Sequence, residues 1–95
     1  MSNKLLIEAL KNKKDTIIFF QADWCHACKS IKPLVMEISD RIGIDVFYVN
    51  EDEELEQKFN VQYYPTLVFV KDNSPRKYIG ADKITILYEN LTHSK

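Results

Sequence analysis

The stretch QADWCHACKSIKP, from Gln21 to Pro33, contains both cysteines of the chain, Cys25 and Cys28, with His26 and Ala27 between them. Two thiols at this spacing can exchange electrons with another disulfide, supply part of a metal site, or sit as inert hydrophobes or a staple. The element that carries them decides among these. From Cys25 to about Arg41, the residues Ile31, Leu34, Val35 and Ile38 fall on one helical face, with Lys32, Glu37 and Asp40 off it. A helix therefore opens close to the cysteines, and Gly43 ends it. A sulfur at that opening meets unpaired backbone N–H groups and the positive end of the helix dipole, and both favour a thiolate.

Cys28 follows one turn later, where Cβ atoms at i and i+3 lie about 5–6 Å apart, slightly wider than the roughly 3.5–4.5 Å of a disulfide. A small adjustment closes the bond. It would enclose a tiny loop, cross-link the unfolded chain weakly, and open readily to exchange. Cys25 is the expected nucleophile and Cys28 the resolving thiol. His26 would tune Cys25 if protonated, or else be a solvated imidazole with no task. The metal alternative is incomplete within one chain: two thiolates are half of a tetrahedral set, and His93 is close to the chain's end, so two chains would each have to give a Cys pair.

Other elements must position that helix. Leu5, Leu6, Ala9 and Leu10 recur at helical spacing in an amphipathic segment that ends near Lys13. TIIFFQA, residues 16–22, is a short apolar run expected as a central strand buried on both faces. Ile44 to Asn50 reads as a second strand, and EDEELEQKFN as a short helix with acidic residues at its favourable end. A strand from Thr66 to Val70, a turn KDNSP and a shorter strand from Lys77 to Gly80 make a hairpin. ADKITILYENLT closes the chain as an amphipathic helix carrying Ile84, Leu87, Tyr88 and Leu91. The order α-β-α-β-α-β-β-α requires parallel pairing of the first two strands and antiparallel pairing of the last two, hence a mixed four-stranded sheet with helices on both faces.

The 95 residues suit a single domain, 1–95, and the composition, 45% hydrophobic and 28% charged, is that of a globular protein. Thirteen basic residues against fourteen acidic give a formal charge of -1, which disfavours nucleic acid as a partner. The opening MSNKLLIEALKNKK has polar residues every few positions, unlike a signal peptide, and no run approaches the roughly 18 apolar residues of a membrane helix. The expectation is a cytoplasmic protein, with a secreted chain lacking its leader as the alternative. In a reducing compartment a close Cys pair points to redox or metal chemistry more than to a structural staple.

ADWCHACKSIKP resembles the active-site segment of thioredoxins, with Trp24 before the first Cys, Lys29 after the second and Pro33 inside the helix. NVQYYPTLVFV resembles the family's segment ending in a cis-proline, which implies a cis Tyr64–Pro65 bond facing Cys25. YIGAD resembles the segment whose glycine, here Gly80, lines the substrate groove. The resemblance implies a thioredoxin fold and a thiol–disulfide oxidoreductase that needs no bound cofactor. It implies disulfide-bearing proteins as substrates, electrons from a thioredoxin-reductase-type donor or a low-molecular-weight thiol, and a monomer. Trp24 would form an apolar lip, Tyr64 would pair its main chain with an extended substrate, and Gly80 would admit the substrate backbone. A glutaredoxin-like use of glutathione and a non-catalytic binding module are the rivals; Trp24 disfavours the first.

The departures carry expectations of their own. His26-Ala27 replaces the family's usual Gly-Pro, which implies a more oxidising pair. The family's buried Asp and its Lys partner on the adjacent strand align with Phe19 and Val46, so resolution by Cys28 is expected to be slower or to use water or another base. Pro33 would bend its helix, while Tyr63 and the EDEELE run read as surface or packing positions, and Lys29 and Lys32 as solvent contacts with a minor electrostatic effect on the thiolate.

Overall fold

The structure is a computed structural model that describes residues 3–93. The elements are α1 (Asn3–Lys11), β1 (Thr16–Gln21), α2 (His26–Ile42), β2 (Val46–Asn50), α3 (Glu53–Lys58), β3 (Thr66–Lys71), β4 (Ser74–Ile79) and α4 (Ala81–His93). Their order is the one the sequence predicts.

β1 lies between β2, to which it runs parallel, and β3, to which it runs antiparallel, in a sheet ordered β2-β1-β3-β4. Successive strand side chains point to opposite faces, so the unbroken apolar run of β1 supplies two cores. Ile17 and Phe19 join Leu67 and Phe69 against Ile31, Val35 and Ile38 of α2 and Ile84 and Leu87 of α4. Ile18 and Phe20 join Val68 and Val70 on the other face, against Leu6 of α1 and Leu55 of α3. Phe19 and Phe20 are both fully buried. The cysteines belong to the first core, directly under the α2 opening.

α1 turns a narrower apolar face inward than its spacing suggests. Leu6 is buried, whereas Leu5 is 64% exposed. The hairpin also differs from its sequence reading. β4 begins at Ser74 rather than Lys77, because the connection is a two-residue turn, Asp72-Asn73, with φ of 52° and 66°. Two positive φ values make the tight turn whose twist suits antiparallel strands, and Asp and Asn tolerate that region better than most residues. Pro75 then sits inside β4, which is an edge strand and so tolerates a missing donor.

Candidate active site

The site begins with the way α2 starts. Cys25 has extended backbone, φ −85° and ψ 106°, and acts as the helix N-cap, its Sγ accepting from the Cys28 N–H at 3.2 Å. Sulfur thus occupies the place usually taken by a Ser or Asp oxygen at a helix start, satisfying one otherwise unpaired amide. At the far end, Gly43 has φ 69° and donates its N–H to the Ser39 carbonyl at 2.9 Å, closing the helix where the sequence expects.

Cys25 and Cys28 are joined as a disulfide with Cα atoms 5.3 Å apart. The Sγ of Cys25 stands where a thiolate would lie in the reduced protein, with the Cys28 N–H already aimed at it. Cys25 is 6% exposed and Cys28 1%, so both residues are buried and the one at the helix mouth is the less so. His26 and Ala27 are both exposed on the first turn. No group of three or more His, Cys, Asp or Glu side chains among the described residues is arranged to hold a metal ion.

Tyr64 packs against the core cluster that holds both cysteines, and contacts link it to Trp24 and link Pro65 to Gly80. The Tyr64–Pro65 peptide is cis. Pro65 is buried, and its carbonyl accepts the Gly80 N–H at 2.8 Å, which ties the loop before β3 to the start of α4. Gly80 has φ 92°, and a Cβ placed there would meet nothing within 4 Å. Backbone conformation, rather than crowding within the chain, accounts for the glycine. Thr66 Oγ1 donates to the Tyr63 carbonyl at 2.7 Å, while no loop backbone hydrogen bond among the described residues uses the N–H or C=O of Tyr64. Trp24 is 69% exposed and meets the half-buried Tyr64 ring edge to face, centroids 5.6 Å apart.

Two residues read as plain surface have defined partners in this face. Trp24 Nε1 donates to Glu51 Oε2 at 3.1 Å, and the Tyr64 hydroxyl donates to Glu56 Oε2. Burial, then the bond to Glu56 with its charge and that of Glu51, raises the Tyr64 phenol above its ordinary range and keeps it a neutral donor. Nothing local in EDEELE announces these partners, since both aromatics come from distant segments. A third surface reading changes as well. Lys32 Nζ lies 4.8 Å from the centre of the Tyr48 ring, near enough for a cation–π contact.

The strand register shows what stands beside Phe19. The β1–β2 register pairs Phe19 with Tyr48, whereas Val46 pairs with Ile17. Phe19 and Tyr48 meet edge to face with centroids 6.1 Å apart. Aromatic packing thus adjoins the core cluster that holds the cysteines.

A cavity of about 550 Å³ lies along the unpaired side of β2 between α1 and α2, lined by Tyr48 but by none of Trp24, Cys25, Cys28, Tyr64, Pro65 and Gly80. No helix among the described residues is long and apolar enough to cross a membrane.

The chain matches the family model described as Thioredoxin over residues 2–93, and it belongs to that family. It is 38% identical over 87 residues to Thioredoxin-T of Drosophila melanogaster, covering 84% of this chain and 55% of that protein. Against Thioredoxin H5 of Arabidopsis thaliana the identity is 33% over 95 residues, covering 96% of this chain and 80% of the relative. The solved structure of Fasciola hepatica thioredoxin superposes with a TM-score of 0.76 at 29% identity, over 99% of this chain and 94% of that one. Thiol–disulfide exchange is the chemistry of this family, and the chain carries a CxxC pair, Cys25 and Cys28, joined as a disulfide.

Proposed function

We propose that this protein exchanges disulfides with protein substrates, with Cys25 as nucleophile and Cys28 as resolving thiol. The observation that carries the reading is the seat of the Cys25 sulfur at the mouth of α2, bonded to Cys28 and accepting its backbone N–H. In the reduced form the Cys25 thiolate attacks one sulfur of a target disulfide. The target's S–S bond breaks, its second sulfur leaves as a thiolate, and a mixed disulfide forms. Cys28, once deprotonated, attacks the Cys25 sulfur and expels the target's remaining thiolate. Two electrons have then passed to the target, and the Cys25–Cys28 bond is restored.

A thioredoxin-reductase-type enzyme or a low-molecular-weight thiol returns the two electrons. Trp24, Tyr64, Pro65 and Gly80 form the docking face, on which the unpaired backbone of Tyr64 suits an extended segment of the target. His26 and Ala27, exposed on the first turn of α2 beside Cys25, tune the thiolate at the helix mouth. The protein works as a monomer in the cytoplasm.

Insulin reduction with dithiothreitol as donor tests the roles of the sulfurs. Cys25→Ser is expected to abolish turnover, and Cys28→Ser to accumulate mixed disulfides; turnover surviving in Cys25→Ser overturns the assignment. A stabilised thiolate makes its disulfide a stronger oxidant, so equilibration with glutathione should give a potential above the roughly −270 mV of a typical thioredoxin. A potential at or below that reference would refute the tuning by His26-Ala27.

A further inference from the structure

The aromatic wall of the site is held from outside it. Trp24 and Tyr64 meet edge to face, and each reaches away from the cysteines to a carboxylate on the segment after β2. Trp24 Nε1 bonds Glu51, and the Tyr64 hydroxyl bonds Glu56. Glu51, Trp24, Tyr64 and Glu56 thus run in series across three separate segments. Glu56 projects from a fixed backbone, because Asp52 caps α3 through the Leu55 N–H at 3.1 Å and Leu55 is buried beneath it. Tyr64 directly precedes the cis-proline, so where its ring stands decides the shape of the face beside Cys25.

We propose that Glu56 is a positioning residue for protein-disulfide recognition: by holding the Tyr64 hydroxyl, it fixes the Trp24–Tyr64 pair as one wall of the docking face. The inference rests on the redox reading of Cys25 and Cys28 given above. A Tyr ring without this tether samples more than one rotamer and must be ordered when substrate binds, which weakens recognition and leaves the sulfur chemistry alone. A small disulfide that touches only the sulfurs gains nothing from the wall. A negative charge acting at a distance on the substrate would be lost equally in Gln and Ala variants, whereas a tether survives wherever an acceptor oxygen of the same reach remains.

The experiment compares wild type, Glu56→Ala, Glu56→Gln, Tyr64→Phe and the double variant Glu56→Ala/Tyr64→Phe on two probes, insulin and the small aromatic disulfide dithiobis-nitrobenzoate. Glu56→Ala is expected to raise the KM for insulin roughly three- to tenfold, the effect of one side chain left to be ordered on binding, with kcat and the small-disulfide rate within about twofold of wild type. Glu56→Gln should restore most of the loss. Tyr64→Phe should match Glu56→Ala, and the double variant should be no worse than either. Trp24 is the only tryptophan, so its emission anisotropy reports the wall directly and should fall in Glu56→Ala but not in Glu56→Gln. An unchanged KM in Glu56→Ala, equal impairment by Gln and Ala, additive losses in the double variant, or equal losses on both probes would each overturn the inference while leaving the redox reading intact. A wild type that reduces neither probe overturns the redox reading, and this inference with it.

Discussion

Phe19 is the residue that the resemblance to thioredoxins aligns with the family's buried acid, and its consequence is chemical as well as structural. It is fully buried in the core cluster that includes both cysteines, with Tyr48 edge-on beside it. No carboxylate stands there to take the Cys28 proton, so that proton must leave to water or another base. Release of the target from a Cys25 mixed disulfide, followed in a single turnover, should therefore be slower than in a thioredoxin that has the acid; an equal rate would remove the argument. Phe19→Ala should destabilise the fold by about 3–5 kcal/mol, the range for emptying a large aromatic from a packed core, as read by urea unfolding. The close pair of sulfurs was legible in the residues themselves, whereas the cis Tyr64–Pro65 bond was legible only through the family resemblance. Tyr48 was not, since the register between parallel strands joined through a long helix is set by packing, with no turn to fix it.

At the scale of elements, the helix that carries the pair is fixed at both ends by residues the chain itself announces. Cys25 caps its start, and Gly43 ends it with φ 69°. Since a Cβ at Gly43 would meet nothing within 4 Å, Gly43→Ala isolates the backbone cost of that conformation. The expected loss is about 1–2 kcal/mol in urea unfolding, with disulfide exchange unchanged, because the strain lies four turns from the sulfurs. Helices and strands were readable from periodicity alone, but the hairpin was misplaced at its turn. Asp72-Asn73 lacks the glycine that usually flags so tight a connection, and Pro75 looks like a turn residue until the sheet order shows β4 at the edge. The pairing of Glu51 and Glu56 with aromatics was invisible for a related reason. Helix-start acids look alike in sequence, and only the fold selects which of them face a partner.

Across the whole molecule, two half-buried phenols link outlying elements to the sheet, and both resist ionisation. Tyr48 joins α2 to β2, and its pKa is raised by burial and then by the charge of Asp40. Tyr64 joins the cis-proline loop to α3, raised by burial and then by Glu56 and Glu51. A phenol whose folded pKa exceeds its ordinary 10.0 binds its proton more tightly in the folded chain than in the unfolded one. Its contribution to stability is thus complete below about pH 10 and is lost as pH climbs above that value toward the folded pKa. Urea midpoints measured from about pH 7 to about pH 11 should be independent of these two groups up to about pH 10 and then fall more steeply in wild type than in Tyr48→Phe/Tyr64→Phe. Every other ionisable group is common to both proteins, so the difference between the two curves isolates the phenols. Parallel curves above pH 10 would mean that the phenols ionise as easily in the fold as out of it, and that neither side chain is held as tightly as its packing implies.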